Sequence, residues 1–278
     1  MQTQNDPSVK KYDWWVYGLN DQESNGIKLA FQKVGQFIVC GTLALVSYTV
    51  TNGLNSTRIS QESYENFQRG YFRSKNQGLI TYANHVCVYD DPGILAPFTA
   101  FSWYYKPEKL RYTLCATDRC FSNPIVASIL RYGRVLPIDR KAGIDQPFLM
   151  DVIERLNQGQ WVHMFPEGTR NIKHSENNHQ IQPFKLGLAK MIVESKTPPV
   201  VLPIFHSGLH TVTNGIGNRI DIVVGEPIDS KELLDEIKNE LKLDKPAADE
   251  KSKKLVMIAL SNTLQERLNK VRSTLIKD

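Results

Sequence analysis

The sequence has few of the features that mark the simpler functional classes. Its 278 residues contain four cysteines, too few for a disulfide scaffold. Cys115 and Cys120 have no second pair near them that would complete a metal site. We therefore expect four free thiols and no bound metal.

Motifs of nucleotide and nucleic-acid binding are also missing. There is no Walker sequence, and Gly215-x-Gly217 lacks the rest of a dinucleotide fingerprint. No zinc finger, ribonucleoprotein or helix-turn-helix signature appears, so we expect no nucleic-acid partner. A Gly-x-Ser-x-Gly elbow is absent as well, which disfavours a serine-hydrolase mechanism.

Long hydrophobic runs are scarce, and the N-terminus does not resemble a signal. Residues 1–7 are polar and acidic, without a secretory n-region or an Arg-rich transit sequence. Residues 34–50 form the one strongly apolar stretch, about 17 residues long, which is the lower limit for spanning a bilayer. Trp14, Trp15 and Tyr17 lie upstream and are of the type found at membrane interfaces. We predict a monotopic or re-entrant membrane anchor, with a buried core helix as the alternative.

Length and composition suit a single α/β domain. The chain is 41% hydrophobic and 23% charged, which is ordinary for a globular protein with a sizeable core. Short β-branched runs predict strands near 79–83, 111–115, 161–165, 200–205 and 220–224. Apolar residues at helical spacing predict helices near 61–73, 92–104, 122–132, 146–157, 183–195, 230–242 and 247–276.

We predict a mixed central sheet flanked by helices. An N-terminal region (1–60) with the anchor precedes the core (61–228), and a C-terminal helical region (229–278) belongs to the same domain. The last helix could pack on the core, self-associate into a homo-oligomer or lie on a membrane, and core packing is the preferred interpretation. The net charge of +5 equals the local Lys/Arg surplus of residues 103–141, which suits an anionic lipid surface. A solvated basic face is the plainer interpretation for most of those charges.

The first candidate motif occupies residues 84–92, directly after a predicted strand. Asp91 and Pro92 predict a helix start, with Asp91 as N-cap, so His85 lies in the turn before it. That turn lets Asp90 reach the imidazole. A histidine held by a carboxylate through one nitrogen can accept a proton at the other, so this pair is a candidate general base with its orienting acid. Alternatively, both aspartates cap the helix and His85 is an ordinary loop histidine.

The second candidate motif follows the strand-like run 161–165 and contains a Pro-Glu-Gly turn. Ligands bind at the carboxyl ends of strands in open α/β sheets, and Gly168 allows the positive φ that a tight turn needs. We expect the turn to present Glu167, Thr169 and Arg170 to one cavity. Arg170 is suited to binding phosphate through two hydrogen bonds, and Glu167 to accepting one from a glycerol hydroxyl. The alternative is a surface loop with a local ion pair.

The two motifs in this order resemble the glycerophospholipid acyltransferase superfamily. Its other two blocks are present between and after them, at 133–140 and 200–204. The doubled aspartate after His85 and the segments 143–168 and 202–208 resemble the tafazzin branch of that superfamily. The pair Thr169-Arg170 departs from this branch and is closer to the lysophosphatidate acyltransferases.

The resemblance implies a membrane-associated enzyme that moves acyl chains between phospholipids without coenzyme A, and that requires no metal or organic cofactor. Implied substrates are cardiolipin, monolysocardiolipin and phosphatidylcholine. The implied location is a mitochondrial membrane, outer or inner, on the side of the intermembrane space. The implied catalytic residues are His85 and Asp90. The implied substrate-binding residues are Arg140, Glu167, Gly168, Thr169 and Arg170.

Two alternatives stay open. The first is an acyl-CoA-dependent 1-acylglycerol-3-phosphate acyltransferase, which Thr169-Arg170 favours. The second is a non-catalytic lipid-binding protein of the same fold, against which the intact His85/Asp90 pair argues.

Overall fold

A computed structural model describes residues 26–99, 103, 106, 109–173, 179–242 and 249–275. The strands are β1 (Ser56–Ile59), β2 (Leu79–Ala83), β3 (Tyr112–Ala116), β4 (Val135–Ile138), β5 (Trp161–Met164), β6 (Val200–Ser207), β7 (Arg219–Val224) and β8 (Ile228–Asp229). The helices are α1 (Gly26–Tyr48), α2 (Gln61–Tyr71), α3 (Asp90–Leu95), α4 (Thr117–Cys120), α5 (Pro124–Tyr132), α6 (Pro147–Asn157), α7 (Gly187–Glu194), α8 (Ser230–Glu240) and α9 (Glu250–Leu275). Within the described residues, further helical turns cover Thr49–Leu54, Ala96–Phe98 and Leu209–Thr213.

The strands form one mixed sheet with β2 near its centre. The order is β1-β7-β6-β2-β5-β3-β4, and β8 also pairs with β6. Strands β2 to β6 run parallel, whereas β7 and β8 are antiparallel to β6. The prediction of an α/β domain with a mixed sheet is therefore confirmed. Because β2, β5 and β6 are parallel neighbours, the residues that follow them meet at one edge of the sheet.

Helices cover both faces of the sheet. Helices α6 to α9 pack on one face, and α2 and α3 on the other. The last helix, α9, packs directly on the centre of the sheet, since the Tyr82 hydroxyl donates a hydrogen bond to the Leu264 carbonyl (2.9 Å). This is the core packing preferred for residues 247–276, of which 247, 248 and 276 lie outside the described residues.

Helix α1 contains most of the apolar stretch 34–50 predicted as an anchor. Together with the turn after it, it provides one segment (Ala30–Leu54) long and apolar enough to cross a membrane, judged by length and composition. Only 22% of the most apolar part of this segment is buried inside the protein, which is less than a core helix would show. Trp14, Trp15 and Tyr17, predicted as interfacial aromatics, lie outside the described residues.

Several elements differ from the sequence prediction, each for an identifiable reason. The helix predicted for 92–104 ends at Leu95 and continues as the 3₁₀ turn Ala96–Phe98, because Pro97 has no N–H to extend an α-helix. Strand β1 lies N-terminal to the predicted core, yet it pairs with β7 in the sheet. Of the four cysteines expected as free thiols, Cys115 and Cys120 form a disulfide, which corrects that expectation.

The helix predicted from residue 183 begins four residues later, at Gly187. Phe184 donates its backbone N–H to the Gln265 side chain (3.1 Å), and Lys185 donates to the Pro166 carbonyl (2.8 Å). These tertiary hydrogen bonds replace the helical ones in this segment.

Candidate active site

The site begins at Asn84, the residue directly after β2. The Asn84 amide donates to the His206 carbonyl (3.0 Å) and accepts the His206 backbone N–H (3.0 Å). The Asn84 carbonyl in turn pairs with Nε2 of His206 at 2.8 Å. These three contacts fasten the turn after β2 to the end of β6 and set the position of the next residue, His85.

His85 and Asp90 form the predicted pair. Nδ1 of His85 lies 2.8 Å from Oδ2 of Asp90. The same carboxylate oxygen accepts the backbone N–H groups of Val86 (2.5 Å) and Cys87 (2.9 Å). The Asp90 side chain is fully buried and that of His85 is 22% exposed. The turn therefore wraps around a buried carboxylate and leaves the far side of the imidazole accessible.

The charge of Asp90 fixes the tautomer of His85. Burial alone would raise the pKa of Asp90, but the nearby charge of His206 and the hydrogen bond and charge of His85 lower it to about 2. Asp90 is thus ionised at neutral pH and accepts a proton-bearing Nδ1. Nε2 of His85 then carries the lone pair, which is the arrangement a general base needs.

Asp91 does not cap helix α3, which corrects the predicted N-cap. The helix starts at Asp90, and the cap position, Tyr89, makes no side-chain hydrogen bond. Asp91 instead forms a two-point ion pair with Arg111, with Nε of Arg111 2.9 Å from Oδ1. The two adjacent aspartates therefore have separate roles, one toward His85 and one toward Arg111.

Aromatic rings support the imidazole. The ring of Phe165 stacks on His85 with centroids 4.2 Å apart and planes 15° from parallel. His163 meets the edge of Phe165 and is fixed through Nδ1 to the Thr81 hydroxyl at 2.8 Å. Burial lowers the pKa of His163 to about 4, so it is neutral at physiological pH. The imidazole of His85 is held in plane by packing as well as by Asp90.

Glu167 holds the backbone of His85. Its Oε1 accepts the His85 N–H (2.7 Å) and its Oε2 accepts the Gln182 N–H (2.9 Å). Asn171 donates its backbone N–H to the His85 carbonyl (2.7 Å). The loop after β5 therefore binds both the N–H and the carbonyl of His85. Glu167 is 1% exposed. This placement favours a positioning role for Glu167 over the glycerol contact expected from the sequence.

Glu167 should make stability depend on pH. Burial raises its pKa from 4.5 to about 7, although hydrogen bonds from Gln182 and His85 act in the opposite direction. A raised carboxyl pKa gives stability that is complete below the ordinary pKa and is lost as pH rises through the folded-state value. Between about pH 4 and about pH 8 we expect the wild type to lose about 3 kcal/mol relative to Glu167→Gln.

Urea unfolding of both proteins over that pH range measures this difference. Glutamine does not titrate, so it controls for every other ionisable group in the chain. A difference in unfolding free energy that stays constant with pH would contradict the raised pKa.

The remaining residues of the second motif face outward. The Gly168 N–H closes the turn onto the Phe165 carbonyl (3.1 Å), and Gly168 has a φ of +71°, as predicted for a glycine there. Gly168, Thr169 and Arg170 are exposed. The turn thus separates Glu167, which points inward, from Thr169 and Arg170, which are available to a ligand.

Cys87 is unsuited to be a nucleophile. Its thiol lies 2.9 Å from Oδ1 of Asp90, to which it donates. Burial and the Asp90 charge raise the pKa of this thiol well above its ordinary value, while the charge of Arg170 acts weakly in the opposite direction. The thiolate needed for attack is therefore disfavoured at neutral pH.

Arg140 lies on the same edge of the sheet but away from His85. It follows β4, three strands from β2, which corresponds to a lateral separation of about 14 Å. Nη2 of Arg140 forms an ion pair with Asp118 at 2.6 Å. The structure thus brings Arg170 into the loop that holds His85, and it places Arg140 at the far end of the same edge.

Three residues at the site were not predicted as functional. They are Asn84, which directly follows β2, Phe165, which directly follows β5, and His206, which lies near the end of β6. Phe165 stacks on His85, and Asn84 and His206 contact each other. Nε2 of His206 is 3.7 Å from Oδ2 of Asp90. The available sequence signal was position, since His206 sits near the end of the predicted strand 200–205. Among the described residues, no group of three or more His, Cys, Asp or Glu could hold a metal ion.

Comparison with known proteins identifies related sequences. The family model described as Acyltransferase matches residues 58–207. N-acylphosphatidylethanolamine synthase of Arabidopsis thaliana is 37% identical over 163 residues, which cover 54% of this chain and 56% of that protein. Tafazzin of Drosophila melanogaster is 28% identical over 214 residues, covering 74% of this chain and 54% of that protein.

Tafazzin of Saccharomyces cerevisiae is 25% identical over 231 residues, covering 66% of this chain and 60% of that protein. The chain therefore spans between 54% and 60% of the length of these relatives. The resemblance to tafazzins drawn from the motifs is confirmed by these matches.

Proposed function

The chain belongs to the acyltransferase family, and we propose that it is a membrane-associated transacylase that exchanges acyl chains between a phospholipid and a lysophospholipid. The observation that carries this proposal is the fixed His85–Asp90 pair, 2.8 Å apart, at the carboxyl edge of the sheet. Exposed Arg170 follows in the loop whose Glu167 and Asn171 hold the backbone of His85. A proton acceptor next to an exposed guanidinium suits a hydroxyl that lies close to a phosphate.

In the proposed reaction, Nε2 of His85 takes the proton from the free hydroxyl of the lysophospholipid. The hydroxyl oxygen attacks the ester carbonyl of the donor phospholipid and forms a tetrahedral intermediate. As that intermediate collapses, the bond to the donor glycerol oxygen breaks, and this oxygen takes the proton from Nε2. Asp90 stabilises the imidazolium between the two transfers. One ester is broken and a similar ester is formed, so the reaction is close to thermoneutral.

The other site residues have supporting roles in this proposal. Arg170 and Thr169 contact the phosphate of one lipid, and Arg140, farther along the edge, contacts a second phosphate or head group. Gly168 gives the turn its shape. Glu167 acts as a positioning residue, because both of its oxygens accept backbone N–H groups. Each of these residues lies in β2–α3, the loop after β5 or the loop after β4, so the proposed catalytic core falls within 61–228.

For the substrates we propose phosphatidylcholine, cardiolipin and their lyso forms, including monolysocardiolipin. The similarity to two tafazzins over much of the chain supports this choice and a mitochondrial membrane as the location. Helix α1, apolar and mostly exposed, supports attachment to a membrane. The proposed reaction uses only the two lipids and side chains of the protein, with His85 and Asp90 handling the proton.

Two other acyl transfers have a specific observation in their favour. The similarity to an N-acylphosphatidylethanolamine synthase favours an amine as acceptor in place of a hydroxyl. The pair Thr169-Arg170 favours acyl-CoA as donor and lysophosphatidate as acceptor. Both would use the same base, so they differ from the main proposal in substrates alone.

A single assay separates the three reactions. Purified protein is mixed with labelled phosphatidylcholine in lipid vesicles and given monolysocardiolipin, phosphatidylethanolamine or lysophosphatidate as acceptor, with and without acyl-CoA that carries a second, distinguishable label. We expect label to reach monolysocardiolipin without CoA. Transfer that occurs only with acyl-CoA, or only to the amine of phosphatidylethanolamine, would replace the main proposal by the corresponding alternative.

A further inference from the structure

Helix α5 carries an exposed apolar surface on the outside of the domain. Ile125, Val126 and Ile129 are 71%, 45% and 51% exposed. At 3.6 residues per turn, these three side chains project within about 100° of one another. Ala127, on another side of the helix, is fully buried. Helix α5 therefore packs on the domain through one face and presents aliphatic side chains on the opposite one.

The start of α5 is capped by side-chain hydrogen bonds. The Asn123 side chain accepts hydrogen bonds from the N–H groups of Ile125 (2.9 Å) and Val126 (3.2 Å). Pro124 occupies the first helical turn, where its missing N–H has no cost. The exposed aliphatic residues thus belong to a capped helix rather than to a frayed end.

The apolar surface of α5 continues onto α1. A Cβ at Gly35 would lie 2.6 Å from the Tyr132 ring, so the two helices touch through a residue without a side chain. Sγ of Cys40 lies 3.4 Å from the Tyr132 carbonyl, one turn farther along α1. Helix α1 also carries exposed apolar residues, among them Phe31 (72%), Val34 (56%) and Ile38 (57%).

Both helices lie next to the candidate site. Helix α5 follows β3 and leads into β4, two parallel strands, so its N-terminal turn lies near the carboxyl edge of the sheet. Helix α1 packs against α3, the helix that begins at Asp90. Arg119, before α5, and Lys141, after β4, are exposed basic residues in the loops of the same edge.

We propose that α1 and α5 together form a bilayer-docking surface, in which Ile125, Val126 and Ile129 enter the lipid beside α1 while Arg119 and Lys141 meet lipid phosphates. The occupant is a lipid bilayer because the patch continues an apolar helix long enough to cross one, and because basic residues border it. This docking surface would hold the carboxyl edge of the sheet against the membrane that supplies both lipids. In that respect it rests on the proposed function.

Fluorescence tests this surface without any acyl transfer. Ile125→Cys is labelled with an environment-sensitive fluorophore and mixed with vesicles of phosphatidylcholine and phosphatidylglycerol. Phe72→Cys is the matched control, since Phe72 is also 71% exposed. The next residue, Arg73, donates hydrogen bonds to the carbonyls of Gln77 and Gly159, which lie just before β2 and β5. Phe72 therefore lies at the amino edge of these parallel strands, opposite to the candidate site. Wild-type protein treated with the fluorophore gives the background from Cys40 and Cys87.

We expect vesicles to shift the emission of the Ile125 label to shorter wavelength and to leave the Phe72 label unchanged. Equal shifts at both positions, or none at Ile125, would overturn the proposal. A shift at Ile125 that appears without vesicles as protein concentration rises would also overturn it, because the patch would then be covered by a second copy of the chain.

A turnover experiment adds an independent readout. In Ile125→Glu/Ile129→Glu we expect acyl transfer in vesicles to fall at least about tenfold, with transfer in detergent–lipid micelles nearly unchanged. Equal rates in vesicles for variant and wild type would contradict the docking role. If the wild type transfers no acyl chains, the proposed function fails, whereas the fluorescence result still decides the docking surface.

Discussion

Replacing His85 with alanine is expected to reduce the rate of acyl transfer by about 10²–10⁴-fold, the usual contribution of a positioned general base. The imidazole is the group that would carry the proton between the attacking and leaving oxygens, and Nε2 is its free nitrogen. The substitution leaves the buried carboxylate of Asp90 with the N–H groups of Val86 and Cys87. The fold and the binding of vesicles should therefore persist.

The loss of rate is measured in vesicles under conditions where wild type and variant are equally bound. Thermal unfolding verifies that His85→Ala remains folded. Added imidazole gives a positive control, because a small base that enters the vacated space should restore part of the activity. Undiminished transfer by the folded variant would remove His85 from the mechanism.

Asp90→Asn is expected to produce the second largest effect, about 10²–10⁴-fold in rate, by analogy with a Ser-His-Asp triad in which the orienting acid is replaced by its amide. The amide keeps the size of the side chain and one accepting oxygen, but it lacks the charge that stabilises the imidazolium. The charge-assisted hydrogen bonds from His85, Val86 and Cys87 also weaken. We expect the free energy of unfolding to fall by about 2–4 kcal/mol at neutral pH.

Asp91→Asn is the matched control for this variant. Asp91 is the next residue and carries the same charge, but it pairs with Arg111 rather than His85. Its substitution should change the rate much less than Asp90→Asn does, because Asp91 does not contact the imidazole. Rate assays and urea unfolding of the two variants show whether Asp90 acts through its contact with His85. Equal losses of rate in both variants would show that the effect comes from local negative charge instead.

The position of the site followed from local sequence patterns. The apolar run 79–83 is the strand β2, with all five residues buried, and the residue two beyond its end is His85. The spacing of His85 and Asp90 across a turn also predicted their contact correctly. These features are set by residues within a dozen positions of each other, which is the range over which pattern and turn chemistry act.

The parts that were missed depend on partners distant in sequence. Asp91 looks like a helix cap, but Arg111, 20 residues later, offers a charged partner that a backbone N–H cannot match. Glu167 looks like a ligand-facing residue, but the N–H groups of His85 and Gln182 hold its carboxylate inside. Cys115 and Cys120 pair because a strand end and a four-residue helix bring their Cα atoms to 6.1 Å.

His206 shows the same limit from another direction. Its local sequence shows only that it lies next to the predicted strand 200–205, with nothing that links it to His85. The sheet order places β6 directly beside β2, and this brings His206 against Asn84 and Asp90. Strands as far apart in the chain as β2 and β6, in which Leu79 pairs with Val200, cannot be paired from a single sequence.

In the proposed reaction the acyl chain moves directly from one lipid oxygen to another, with His85 as the base and no acyl-enzyme. The most direct test is the intact mass of the protein after incubation with donor phospholipid alone, followed by rapid quenching. Direct transfer predicts an unchanged mass, because the thiol of Cys87 is protonated and hydrogen-bonded to Asp90. A mass increase of one acyl chain per protein, formed in the wild type and absent in Cys87→Ala, would contradict it.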